Sequence, residues 1–161
     1  MILALGFWLG GFTFYASVVI HTGHRVFHGQ REVGFLTQQV THWLNLSGAA
    51  ALAILFWNVL MEGRKTTTWL RSGLWLTWLA MVIVQVTLFA LHPRLDALLN
   101  IETHRILPGS GFRRTHNLYM NLSTIQWAAG LSHLWLLLLV WRSSDLLLHR
   151  VGNPLPREAV A

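Results

Sequence analysis

The chain has no cysteine. That excludes disulfides, thiolate metal sites and cysteine nucleophiles at once. Charge is scarce as well: charged residues make up 11% of the sequence, and only six are acidic. None of the acidic residues falls within the long apolar stretches. A di-iron carboxylate centre needs several inward carboxylates with Glu-x-x-His spacing. A proton pump normally holds a carboxylate inside the membrane. Neither pattern is present. There is also no G-x-S-x-G elbow, no P-loop and no dinucleotide-binding glycine pattern, so nothing points to a hydrolase or a transferase. The expectation is a protein that is neither a hydrolase nor a transferase, with the balance against an enzyme of any kind.

What is abundant is apolar. Hydrophobic residues make up 53% of the 161, and nine are Trp. Four stretches carry no charge: Ile2–Ile20, Trp43–Met61, Ser72–Leu91 and Leu118–Trp141. At ~1.5 Å of rise per residue, each can cross a hydrocarbon core of ~30 Å. The fold class expected is all-α: a polytopic membrane protein, a four-transmembrane-helix up-down bundle. Residues 1–142 would form the transmembrane domain and 143–161 a polar, frayed C-terminal tail, broken by Gly152, Pro154 and Pro156. The first stretch has no Lys or Arg before it and no clear small-residue cleavage site. It is read as a retained helix rather than a cleaved signal peptide.

An up-down bundle has two ends. Side A carries the N-terminus, the 62–71 loop and the tail; side B carries the 21–42 and 92–117 connections. The net charge of +6 is spread over short loops and tails, so lipid headgroups rather than nucleic acid are the expected partner. Six basic residues fall on each side, and the positive-inside rule does not decide the orientation. The short Gly63-Arg64-Lys65 loop leans towards side A being cytoplasmic. Trp8, Trp57, Trp69, Trp135 and Trp141 fit an aromatic belt near side A, and Trp43 and Tyr119 fit the side B interface.

The histidines are the most informative feature. His21 closes the first span, His42 opens the second, His92 closes the third and His116 opens the fourth. His24, His28 and His104 fall in the side B connections, so seven of the nine histidines crowd one membrane face. Imidazole is the commonest metal ligand and titrates near neutral pH. His21, His24, His28, His42, His92 and His116 are therefore the candidate metal ligands, with copper or another transition metal as the group they suit. Glu32, Asp96 and Glu102 lie nearby in sequence as candidate carboxylates. Met81 and Met120 sit deeper and are read as packing residues.

Haem b is the alternative cofactor, since His21, His42, His92 and His116 lie at similar depth. His133 is deeper, with no second histidine at its level, and is read as a core histidine bonded to Asn58. A third reading makes the histidines interface anchors and loop fasteners, with the protein a non-catalytic subunit or scaffold near a haem or quinone. Transport or proton movement without a cofactor is a fourth.

Helical spacing sets the expected packing. Gly6, Gly10, Phe14, Ser17, His21, His24 and His28 form one stripe, and its Gly-x-x-x-Gly pair suggests a packing face within the chain. Similar stripes are His42-Asn45-Ala49-Ala53, Trp78-Met81-Gln85-Leu88-His92 and His116-Met120-Ser123-Trp127-Gly130. Ser17, Asn45, Gln85, Asn121, Ser123 and Thr124 would form a hydrogen-bonded interior beneath the histidines. His92-Pro93 should end the third span. Leu95, Leu98, Leu99 and Ile106 suggest a short amphipathic piece on the interface.

Phe112-Arg113-Arg114-Thr115-His116 followed by Asn121, together with Gly10-Gly11-Phe12-x-Phe14-Tyr15, resembles the domain family around transmembrane protein 205. That family is loosely similar to copper-resistance D-type membrane proteins. The resemblance covers residues 2–141. It implies a four-helix bundle, with His116 and Asn121 on the family pattern and a bacterial inner membrane as the location. His21, His24, His28 and His42 have no counterpart in it.

If histidines hold a metal, binding weakens below about pH 6, because protonated imidazole cannot ligate. A metal titration at pH 7 and pH 5 checks this: unchanged affinity at pH 5 rules out histidine ligands.

Overall fold

The computed structural model describes residues 1–27, 30–62, 67–100, 105–106 and 111–152, with side chains except at 30–32, 35, 62, 99–100, 105–106 and 144–152. Four helices account for nearly all of it. Helix α1 covers Ile2–Val26, with a π-helical turn at Tyr15–Val19. Helices α2, α3 and α4 are Gln30–Glu62, Thr68–Ala97 and Phe112–Gly152. Segments Ile2–Val26, Leu36–Met61, Thr68–Ala97 and Phe112–Ser143 are long and apolar enough to cross a membrane. Each contains one of the charge-free stretches. The chain is an all-α four-helix bundle of a membrane protein.

Consecutive helices pack against one another and α4 returns to α1, the α3–α4 interface being the most extensive. Large apolar side chains such as Leu3, Phe7, Leu76 and Val86 stay exposed on the outside. In a bilayer this is the favourable arrangement, because lipid tails are as apolar as Leu. Cohesion must then come from close packing and buried hydrogen bonds.

The side A half is an apolar core. Leu5, Leu55, Val59, Leu74, Met81, Leu137 and Val140 are its fully buried members. Trp8 is the wedge that locks α1 to it, and it is 6% exposed. A Cβ on Gly48 of α2 would stand 2.7 Å from Trp8 Nε1 and 2.8 Å from Gln85 Oε1. A Cβ on Gly130 of α4 would stand 3.0 Å from Trp8 Cζ3. The indole therefore fits only because α2 and α4 each present a glycine.

This corrects two sequence expectations. Trp8 belongs to the core, not to the side A belt; Trp57, Trp69, Trp135 and Trp141 are the exposed ones. Gly6 and Gly10 are exposed, with nothing within 4 Å of an added Cβ. Their stripe faces outward because Leu5, Trp8 and Leu9, the bulky residues beside it, make the better contact with the core.

The ends differ from expectation for local reasons. Helix α3 runs through Pro93 to Ala97. Proline costs the bond to the carbonyl four residues back and crowds that carbonyl, but Leu91 before it and Leu95 beyond it pack with Leu88 and Tyr119 and hold the helix. Among the described residues the amphipathic piece does not form: Leu99–Asn100 (β1) pairs antiparallel with Arg105–Ile106 (β2). Asparagine is a poor helix former and β-branched residues favour extended backbone. Gly111, at φ +67°, accepts the first bonds of α4 from Arg114 and Thr115. Helix α4 then continues past Arg142 to Gly152. Gly29 and residues 153–161 lie outside the described residues.

Substituting Gly48→Ala should cost about 1–3 kcal/mol through overpacking. Gly6→Ala and Gly10→Ala should be neutral or slightly stabilising, alanine being the better helix former by up to ~1 kcal/mol. Reversible unfolding in mild detergent reads both.

Candidate functional site in the side B half

Helical spacing brings polar side chains of three helices together. Gln38, His42 and Asn45 share one face of α2. Gln85, His92 and Asp96 share one face of α3. Tyr119, Ser123 and Gln126 share one face of α4. Positions three, four and seven apart align on a helix, so each helix contributes one polar stripe to the same region.

The stripes join into a ladder. At its outer end Gln38 Nε2 donates to Asp96 Oδ1 at 2.7 Å. Asp96 Oδ2 stands 3.7 Å from His92 Nε2. The His92 ring lies 5.8 Å from that of His42 and 6.3 Å from that of Tyr119, centroid to centroid. Below them Asn45 Nδ2 donates to the Tyr119 hydroxyl at 2.7 Å. Gln85 Nε2 donates to the Asn45 backbone carbonyl at 3.2 Å, and Gln126 Nε2 to Gln85 Oε1 at 2.6 Å. Asn45, Gln85, Tyr119 and Gln126 are all buried. Gln126 Oε1 is the unpaired end of the ladder: it is buried and accepts no hydrogen bond from the protein.

The six candidate histidines separate sharply. His42 and His92 meet. His21 and His24 are exposed on the outward stripe of α1. His116 is exposed and stacks on Phe112, its ring 5.7 Å away and inclined by 11°. His28, His104, Glu32 and Glu102 lie outside the residues whose side chains are described. Among the described residues no group of three or more His, Asp or Glu side chains is placed to hold a metal ion. Of the expected polar interior, Asn45, Gln85 and Ser123 are buried, whereas Ser17, Asn121 and Thr124 are exposed. Ser17 and Thr124 donate to their own helix, to the carbonyls of Thr13 and Met120, and so tolerate the outer surface.

Gln38 and Gln126 carry no motif and were not expected in the site. Their signal is spacing alone: Gln38 lies one turn before His42, and Gln126 two turns after Tyr119. Tyr119, expected at the interface, is 5% exposed because its hydroxyl answers Asn45. His133 is a core histidine as expected, but its Nδ1 pairs with the Thr77 hydroxyl at 2.8 Å rather than with Asn58. Thr77 sits across the α3–α4 interface, the tightest in the bundle, and so reaches it first.

No family model, no curated protein and no solved structure matches the chain.

Removing the Tyr119 hydroxyl with Tyr119→Phe leaves a buried Asn45 amide unpaired, at an expected cost of about 1–3 kcal/mol. The exposed Asn121→Ala should change stability by under about 0.5 kcal/mol. Thermal unfolding of both variants in the same detergent makes the comparison.

Proposed function

We propose that this is a non-enzymatic membrane protein that handles a transition metal, copper for example, through His42 and His92 at its side B face. One observation carries the reading: imidazoles from neighbouring helices stand 5.8 Å apart, centroid to centroid. A metal about 2 Å from one nitrogen of each ring places the ring centroids about 5–6 Å apart. Asp96 supports it further. A carboxylate beside one nitrogen of a ligating histidine fixes the ring and raises the basicity of the other nitrogen. In this reading His92 Nδ1 and one His42 nitrogen are the donors, and Gln38 steadies Asp96.

His21, His24, His28 and His116 of the original six are not part of the proposed pair. Haem b is the alternative group for the same two imidazoles. The resemblance to the family around transmembrane protein 205, with its bacterial membership, supports a bacterial inner membrane as the setting.

A second reading makes the protein a non-catalytic subunit or scaffold of a larger membrane complex. The outward α1 stripe favours it: Gly6 and Gly10 leave open space where a neighbouring helix could approach closely.

Metal analysis of tag-free protein separates the two. The proposal expects copper or zinc to bind in a fixed ratio, with His42→Ala or His92→Ala abolishing it and Asp96→Asn weakening it about 10- to 100-fold. His21→Ala and His116→Ala should leave binding intact. Binding indifferent to His42 and His92 overturns the proposal. Loss of a co-purifying subunit on Gly10→Leu, with no metal in the wild type, would establish the second reading.

A further inference from the structure

A cavity of about 90 Å³ lies beside the ladder, between α1 and α4. Its inner wall includes Tyr15, Asn45, Gln85, Tyr119, Ser123 and Gln126, all of them buried. Its lining contains amides, hydroxyls and apolar groups, and no acidic or basic side chain. A charged ligand would be left without a counter-charge in a setting where that is costly.

The outer wall is different. Ala16, Met120 and Thr124 line the same cavity and are exposed on the bundle surface. All three lie within segments that cross the membrane. The mouth therefore opens sideways, towards lipid. Ala16 belongs to the π-helical turn Tyr15–Val19, and such turns, rare in helices, are frequent at functional sites. The wall of the cavity and the irregular turn coincide.

One atom selects the ligand. Gln126 Oε1 is buried, unpaired, and belongs to a residue that lines the cavity and is 2% exposed. Its amide nitrogen gives one of its two hydrogens to Gln85. What Oε1 lacks is a donor, so a ketone, an ester or an ether leaves it unpaired, and a hydroxyl does not. A buried polar site rejects an analogue that cannot make its hydrogen bond far more strongly than it rejects a change of apolar size.

We propose that the cavity between the π-helical turn of α1 and helix α4 binds the hydroxyl head of a neutral, membrane-dissolved amphiphile, with Gln126 Oε1 as acceptor and the apolar body leaving through the mouth at Ala16, Met120 and Thr124. Such a head arises on a phenolic ring, as in a quinol, or on an aliphatic chain, as in a long-chain alcohol. The chemistry recognised is the same. This site is separate from the His42–His92 pair and does not rest on the metal reading.

Trp8 lines the cavity, so intrinsic tryptophan fluorescence reports occupancy. The test titrates the full chain in nanodiscs with 4-decylphenol, its methyl ether 4-decylanisole, and 1-decanol. The expected result is saturable binding of 4-decylphenol, 1-decanol or both, at least tenfold tighter than the ether. Binding of the phenol alone assigns a phenolic head, and binding of both assigns the hydroxyl irrespective of its carrier. Gln126→Leu should abolish the preference for hydroxyl over ether. Because that variant removes part of the ladder, Ala16→Phe gives an independent check. It fills the mouth from the surface, leaves every ladder bond in place, and should weaken all probes at least tenfold. No saturable binding, equal affinity for phenol and ether in the wild type, or unaltered binding in Ala16→Phe each overturns the proposal.

Discussion

Amides carried into an apolar bundle have to pair with one another, and this constraint organises the side B half of the protein. Asn45, Gln85 and Gln126 come from three different helices. Water is not at hand at their depth, and an unpaired amide in hydrocarbon costs several kcal/mol. Their bonds, with the Tyr119 hydroxyl, fix the rotation of α2, α3 and α4 about their own axes. Apolar packing alone would tolerate small rotations. The hydrogen-bonded stripe does not, because each donor meets its acceptor in one register only.

Much else follows from that register. Rotating α2 and α3 so that Asn45 and Gln85 meet also turns His42 and His92 towards each other, one and two turns further along. The same rotation leaves His116 on the outer surface of α4. Helix α1 stands apart from the network. It contributes Trp8, seated against Gly48 and Gly130, and polar bridges from Thr13, whose hydroxyl accepts from Trp127 Nε1 at 3.0 Å, and from Tyr15, whose side chain hydrogen-bonds that of Thr37. The cavity opens between its π-helical turn and α4, beside the three-helix ladder.

The architecture was legible in the sequence because charge-free length is a strong signal for a membrane span. The α3 stripe was legible too: Met81, Gln85 and Leu88 are buried as their spacing implies. The rotation of α1 was not. Its Gly-x-x-x-Gly motif marks a surface where helices can approach, but it does not say whether the partner lies inside the chain. Trp8 was misread for a related reason: tryptophan suits both an interface and a core, and only the facing glycines at 48 and 130 decide between them. The histidine cluster was legible as a count at one membrane face, not as a geometry. Proximity along the membrane normal says nothing of azimuth, and azimuth separates His42 and His92 from His21, His24 and His116.

The central claim is that the buried amides act as one coupled unit across helices. A double-mutant cycle on Gln85 and Gln126, with Gln85→Leu, Gln126→Leu and the double variant unfolded reversibly in one detergent, measures this most directly. The account predicts a coupling on the order of 0.5–2 kcal/mol, within the range of buried hydrogen bonds between membrane helices. Additive losses with no coupling would contradict it, because the two amides would then be contributing independently and the register they are said to set would have another cause.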